Sequence, residues 1–264
     1  MIINNKCTGC GICKKECTMH SIDITDNKAT LLGSCINCGH CFAVCPNEAI
    51  DLEMPYLPTT PLSKILYFRR SLRQYENKLI PKEVLDEIIS NASAYPSAVN
   101  QKCASVTIVC DPILLKTVRL SVMNTLKDKF KLLNYGPIRF FAKLFLGDNF
   151  KKVIRYKKLF DNMSEECDGI TFHAPCLVFV HGNKNKIFID EDCHYLAYNI
   201  VLLANEAGLG SCFMGFIRGH INKKTKKLLN IPKDDKIYSV FTLGYPSVEF
   251  LRPVPQEKVK TIVY

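Results

Sequence analysis

No apolar stretch in these 264 residues approaches the roughly 18–20 needed to cross a bilayer, so a membrane-spanning helix is not expected. The opening "MIINNKC" has no basic-then-apolar run of the kind that targets a chain for export, and the cytoplasm is the expected compartment. A dinucleotide fingerprint is missing too. "GLGSCF" from Gly208 approaches G-x-G-x-x-G but fails at Phe213, and it follows a helical pattern instead of a strand. With 47% hydrophobic and 23% charged residues, the composition excludes a disordered chain. The six cysteines from Cys103 onward contain no C-x2-C pair and read as reduced core thiols, with Cys212 the one in a segment of interest. His173, His194 and His220 are dispersed, without ligand spacing, and read as structural.

What is abundant is cysteine near the start. Of fourteen, eight lie before residue 46, which in a cytosolic chain argues for metal or redox chemistry before disulfides. Cys7, Cys10, Cys13 and Cys17 recur 28 residues later as Cys35, Cys38, Cys41 and Cys45, and "SIDI" at Ser21 returns as "AIDL" at Ala49. Such a repeat implies two half-units around a pseudo-dyad. Each run reads C-x2-C-x2-C-x3-C, in which three close thiolates cap one iron–sulfur cluster and the fourth ligates the other. The expected sets are Cys7, Cys10, Cys13 and Cys45 for one cluster, and Cys35, Cys38, Cys41 and Cys17 for the second. Gly9, Gly11 and Gly39 suit a backbone that bends closely around inorganic sulfur. Paired structural zinc knuckles are the competing reading, but they leave the third cysteine of each run without a task. Residues 1–54 thus resemble a two-cluster bacterial-type ferredoxin carrying two [4Fe-4S] clusters. Thr18, in place of a proline after Cys17, is a local departure.

The formal charge of +10 overstates the basic character. Two oxidised clusters with their thiolates, at about −2 each, lower it to about +6. Lys127 to Lys158 alone holds ten basic and two acidic residues. Its lysines mix with Phe140, Phe141, Leu144 and Phe145. The favoured reading is a helical excursion with a solvated basic face, ahead of docking an acidic electron donor or touching a membrane. The aromatics fit a buried helix face better than stacking platforms, so nucleic-acid binding is not expected.

"MPYLPTTPL" carries three prolines in nine residues and reads as a stiff connector over 55–62. Beyond it, "IPKEVLDEIISNA" is a helix starting at Pro81, with Val84, Leu85, Ile88 and Ile89 on one face. Strands are expected at Val106–Cys110, Cys176–Val180 and Ile237–Leu243. A long helix is expected from Asp192, with Leu196, Ile200, Leu203 and Ala207 in register and Gly208 as its stop. The whole chain is α+β.

Four separated motifs carry the chemistry of the larger part: "FRRSLRQY" from Phe68, "YPSAVNQ" from Tyr95, "EAGLGSCFMGF" from Glu206 and "LGYPSVEFLRP" from Leu243. Arg69, Arg70, Ser71 and Arg73 around one turn suit a phosphate and an anionic ring edge. In this order, over roughly residues 63–255, the motifs resemble the nitroreductase family of FMN enzymes, which places an FMN domain at 63–264. The resemblance implies that Arg69 and Ser71 hold the phosphate and ribityl side, with Arg70 also among the cofactor-binding residues and Arg252 returning to the phosphate. It puts Arg73 near N1 and O2, where a cation stabilises the reduced flavin. Asn100, in the Pro96–Ser97 segment, would meet the pyrimidine edge. Gly210, with the backbone N–H groups of Met214 and Gly215, would wall the ring near N5 and O4. Lys102 and Gln256 stand where the family more often has glutamine and a basic residue.

The implied activity is that of a homodimeric FMN-dependent oxidoreductase. Electrons would pass from two [4Fe-4S] clusters to FMN and on to a nitroaromatic, quinone or activated alkene. The donor would be a ferredoxin or flavodoxin, or NAD(P)H stacked directly on the flavin. An alternative is a non-catalytic carrier or redox sensor that exchanges electrons with protein partners.

Overall fold

A computed structural model describes residues 2–33, 35–52, 59–147, 150, 153–154, 157, 161, 168–254, 256 and 259–263. The chain forms two compact units: Met1–Arg70 together with Ser247–Tyr264, and Ser71–Pro246.

The first unit is built on the repeat. Its elements are β1 (Ile2–Ile3), α1 (Ile12–Glu16), β2 (Ile22–Thr25), β3 (Lys28–Leu31), α2 (His40–Val44), β4 (Ile50–Asp51) and α3 (Pro61–Phe68). β1 pairs antiparallel with β4 and β2 with β3; the registers Ile2↔Asp51 and Ile3↔Ile50 become Thr30↔Asp23 and Leu31↔Ile22 on shifting 28 residues. The repeat in sequence is therefore a repeat in hydrogen bonding. Asp26 and Asn27 both take positive φ, which suits a type I′ turn between β2 and β3. The buried core is small: among the described residues it holds Ile22, Ala29, Ala49 and Ile50 around Cys13, Cys41 and Cys45, with Ala43, Val44 and Val254 also buried. So little apolar area needs another source of cohesion, such as bound metal.

Half of the expected connector, residues 55–58, lies outside the described residues. Its end is already helical, because Thr60 and Ser63 form a capping box at the start of α3. The last segment also differs from expectation, since Ser247–Tyr264 belongs with the cysteine repeat instead of completing the larger domain. The reason is local bonding. Leu251 N–H reaches Ala43 O at 2.9 Å, the Phe250 ring meets His40 edge-on, and Val254 fills the space that the missing side chain of Gly39 leaves.

The second unit runs α4 (Lys82–Ala92), a 3-10 turn (Ala98–Asn100), β5 (Ser105–Val109), α5 (Pro112–Leu132), α6 (Gly136–Leu146), β6 (Cys176–Asn183), α7 (Ile189–Glu206), β7 (Gly210–Phe213), α8 (Gly215–His220), α9 (Lys223–Leu228) and β8 (Asp235–Gly244). The strands form one antiparallel sheet in the order β5-β6-β8-β7. Side chains alternate across it. Cys176, Val178 and Val180 of β6 pack with Leu85 and Ile88 of α4 and Leu196 and Ile200 of α7. Leu177 and Phe179 pack with Val118 and Val122 of α5 and Ile217 of α8. Both faces of β6 and β8 are thus covered, which is why these strands read as continuous apolar runs. No helix among the described residues is long and apolar enough to cross a membrane.

Two expectations are corrected here. The long helix begins at Ile189, three residues before Asp192. The aromatics of the basic segment are not a buried face: Phe140, Phe141 and Phe145 on α6, with Leu144 among them, are 65%, 55%, 83% and 67% exposed. Helical periodicity in an apolar run reports that a face wants covering, not what covers it.

Asp168 fixes the turn before β6. Its carboxylate accepts N–H bonds from Ile170 (2.9 Å), Thr171 (2.9 Å) and His173 (3.1 Å), the Thr171 hydroxyl, and Arg119 Nη1 (3.4 Å). Phe172 and His173 are both held at positive φ. Burial alone would raise this carboxyl, but the bonds from Thr171, His173 and Ile170 outweigh it and hold it below the usual carboxylate range. A depressed folded value means that the stabilisation is complete above the unfolded pKa of about 3.9 and fades as pH falls through the folded one. Asp168→Ala should therefore cost about 3 kcal/mol at neutral pH, since it strands Arg119 and four donors. In urea melts the gap from wild type should shrink below about pH 3.9; a gap independent of pH would contradict the account.

Candidate functional site

The eight early cysteines divide between two cavities of the first unit. One, of ≈ 340 Å³ with part of that open to solvent, is lined by Cys7, Cys10, Cys13 and Cys45. The other, of ≈ 460 Å³ measured the same way, is lined by Cys17, Cys35, Cys38 and Cys41. Each half of the repeat contributes three cysteines to one cavity and its fourth to the other. The backbone supplies the means. α1 and α2 each open from a left-handed glycine, Gly11 (φ 77°) and Gly39 (φ 69°), and carry Cys13 and Cys41. Each short helix then ends at Cys17 or Cys45 in extended conformation. Gly9 is required sterically, for a Cβ there would lie 2.5 Å from Asn27 O; its repeat counterpart Asn37 also takes positive φ.

Four backbone N–H groups point at sulfur: Ala29 to Cys7, Ser21 to Cys17, Asn37 to Cys35 and Ala49 to Cys45, each at 3.3 Å. Ser21 and Ala49 are the repeat positions of "SIDI" and "AIDL", so that echo marks matched N–H···S bonds. Such bonds favour thiolate and tune a bound cluster. Burial, followed by repulsion from Cys38, pushes the Cys41 thiol up to about 12, and burial raises Cys13. Thiolates there need a compensating positive charge, which bound iron would supply. Among the described residues no three His, Cys, Asp or Glu side chains converge as a single ion requires. Four cysteines around a larger cavity fit a cuboidal cluster.

In the second unit the arginine motif meets the glycine-rich motif. Ser71 bridges in parallel to Ser211, and Leu72 N–H donates to Ser211 O at 2.9 Å. Gly210 is small because Leu72 lies against it: a Cβ there would overlap the Leu72 side chain. Tyr75 OH bonds Leu72 O (2.9 Å) and Thr242 Oγ1 (2.6 Å) and fastens the segment to β8. Arg73 donates to Ser71 O at 3.3 Å, and its guanidinium lies over the Phe172 ring at 5.7 Å. Ser97 is an organiser: Oγ donates to Asp192 (2.8 Å) and accepts from Lys102 N–H (2.9 Å). The turn it holds leaves Pro96 and Asn100 exposed, with Asn100 at φ 56°.

Met214 is tied into the sheet. Its N–H goes to Val240 O at 2.7 Å, inside the protein's own hydrogen bonding. Gly215 opens α8, where an N–H has no acceptor within the helix. Cys212 is buried in the core. In the first unit, Arg69 Nε and Arg70 Nε are buried and have no hydrogen-bond partner among the described residues, which suits an anionic group. Arg70 Nη2 also donates to Cys38 O, while Arg252 donates to Phe42 O at 2.8 Å and stacks on the Phe42 ring. Neither contact was anticipated. Leu72, Tyr75, Asp168 and Asp192 were missed as well; of these only Asp168-Gly-Ile-Thr carried a readable signal, that of an Asx-type turn.

Crossed ligation makes a specific prediction. With clusters of four irons, Cys45→Ala and Cys7→Ala should each lower iron from about eight to about four per chain and leave the same residual EPR signal. Cys17→Ala and Cys35→Ala should leave the other signal. A signal shared by Cys45→Ala and Cys35→Ala would refute the crossing.

Comparison with known proteins agrees with both halves. Residues 66–245 match the nitroreductase family, and residues 6–50 match a 4Fe-4S dicluster domain. A protein of Archaeoglobus fulgidus, provisionally named NADH dehydrogenase/NAD(P)H nitroreductase, is 25% identical over 190 residues, 70% of this chain and 86% of its own length. Over 48 residues the chain is 43% identical to a component of an ion-translocating oxidoreductase complex of Methanosarcina acetivorans, 18% of each chain. Among solved structures, a Bacteroides fragilis nitroreductase with bound FMN superposes with a TM-score of 0.57 at 20% identity, covering 78% of this chain and 100% of that one, a likeness of fold. The chain belongs to the nitroreductase family and carries a 4Fe-4S dicluster domain ahead of the family domain.

Proposed function

We propose that the protein is an FMN-dependent oxidoreductase in which two [4Fe-4S] clusters feed a flavin that reduces a small organic acceptor. The reading is carried by the pair of four-cysteine cavities, placed in one chain with a nitroreductase-family domain. When bound, the clusters would supply single electrons and FMN would pair them for delivery as hydride. The chain's own residues do the holding. Cys7, Cys10, Cys13 and Cys45 take one cluster and Cys17, Cys35, Cys38 and Cys41 the other, with N–H groups of Ala29, Ser21, Asn37 and Ala49 stabilising four of the sulfurs.

Arg73 supplies the cation for the electron-rich edge of the flavin, its guanidinium kept in place by Ser71 O and the Phe172 face. Gly215 offers the backbone N–H on the opposite edge, and Asn100 a side chain open to the pyrimidine side. Arg69 and Ser71 keep the phosphate role that their motif implies; Arg252 is the weaker candidate, being engaged with Phe42. Nitroaromatics, quinones and activated alkenes are the acceptor classes, and a ferredoxin, a flavodoxin or NAD(P)H the donors. A homodimer is the expected state, and the exposed apolar side chains of α6 support it by offering a face for a second copy. Sedimentation at the mass of one chain would refute the dimer.

Anaerobic titration with a one-electron donor tests the electron path. Cluster absorbance should fall first and flavin absorbance follow without added mediator. In Cys45→Ala the flavin step should slow at least tenfold. Clusters that reduce while the flavin stays oxidised would overturn the reading.

A further inference from the structure

The two halves of the repeat match in register and in the N–H···S bonds of Ser21 to Cys17 and Ala49 to Cys45, yet the chain surrounds them differently. α1 is open: Cys10 is exposed, Ile12 is 39% exposed, and Lys14 lies on the surface, paired with Asp23 at 2.6 Å. α2 is covered. Leu251 bonds Ala43 O, Phe250 packs on His40, Val254 sits against Gly39 and Arg252 binds Phe42 O. Cys38, the repeat counterpart of Cys10, differs most, because its carbonyl accepts the Arg70 guanidinium through Nη2 at 2.5 Å. That cation is partly withdrawn from water, with a buried Nε.

We infer that Arg70 is a positioning and tuning residue for the second cluster: its charge, fixed on the Cys38 carbonyl, raises that cluster's reduction potential above that of the cluster held by Cys7, Cys10, Cys13 and Cys45. The inference rests on the cluster half of the proposed function and not on the flavin half. A [4Fe-4S] cluster with four thiolates goes from −2 to −3 as it accepts one electron, and a nearby fixed cation stabilises the more negative state. A half-buried guanidinium acts through less water than surface lysines, whose fields are screened within about 10 Å at 0.1 M salt. Lys14, moreover, faces Asp23, which cancels most of its charge at a distance. Arg252 is also near α2, but it shares its charge with Glu48 at 3.8 Å. The downhill order is then from the cluster of Cys7, Cys10, Cys13 and Cys45 to that of Cys17, Cys35, Cys38 and Cys41, each step moving a single electron.

The test is a potentiometric titration of the anaerobically prepared full-length protein, following both clusters by EPR. Wild type should show two separate waves. Arg70→Gln, which keeps a donor for the carbonyl but removes the charge, should lower only the upper wave, by at least tenfold in its reduction equilibrium, 59 mV for one electron. Arg70→Lys should retain most of the wild-type separation, and Arg70→Met gives the same reading as glutamine if that variant loads poorly. Waves that both stay, or both move together, would overturn the assignment to Arg70. A shift in Arg70→Lys as large as in Arg70→Gln would overturn the charge argument. Absence of any cluster signal in wild type would instead overturn the cluster reading beneath it.

Discussion

The crosswise sharing of Cys17 and Cys45 is the constraint on which the first unit depends. Each lies at the end of one short helix and lines the cavity that the other half of the repeat builds. Neither half can complete its cavity alone. The few, mostly small apolar residues buried in this unit among the described residues do not make a core that would hold it by itself. Matched strand registers, left-handed glycines ahead of both helices and paired N–H···S bonds all follow from keeping two equivalent cavities a fixed 28 residues apart.

The second unit solves a different problem, that of presenting loop backbone from a rigid sheet. β6 and β8 are buried on both faces, and the chemistry-bearing segments are tied to the edge beyond them. Leu72 anchors the arginine motif against Gly210, Tyr75 fastens it to Thr242, and Asp168 holds Phe172 beneath Arg73. Side chains that would face a cofactor are thus positioned by neighbours that would not touch it, an arrangement that gives precision at a reactive centre.

Much of this was legible in the sequence, for stated physical reasons. Cysteine spacing survives as geometry because thiolates must surround a body of fixed size. Buried strands such as β6 betray themselves through unbroken apolar runs, here Cys176–Val180. What was not legible depended on partners distant along the chain. That Gly210 is small for the sake of Leu72, that Met214 spends its N–H on Val240, and that Arg70 reaches Cys38 are tertiary facts with no local signature. The exposure of Phe140, Phe141, Leu144 and Phe145 belongs to the same class, since periodicity does not identify the covering surface.

The central claim is that one chain holds both an electron-storing cluster pair and a flavin. Its most direct test is the cofactor stoichiometry of protein purified without oxygen. The account predicts about eight iron, about eight acid-labile sulfide and about one FMN per chain. About two zinc per chain, with no sulfide and no flavin, would contradict it.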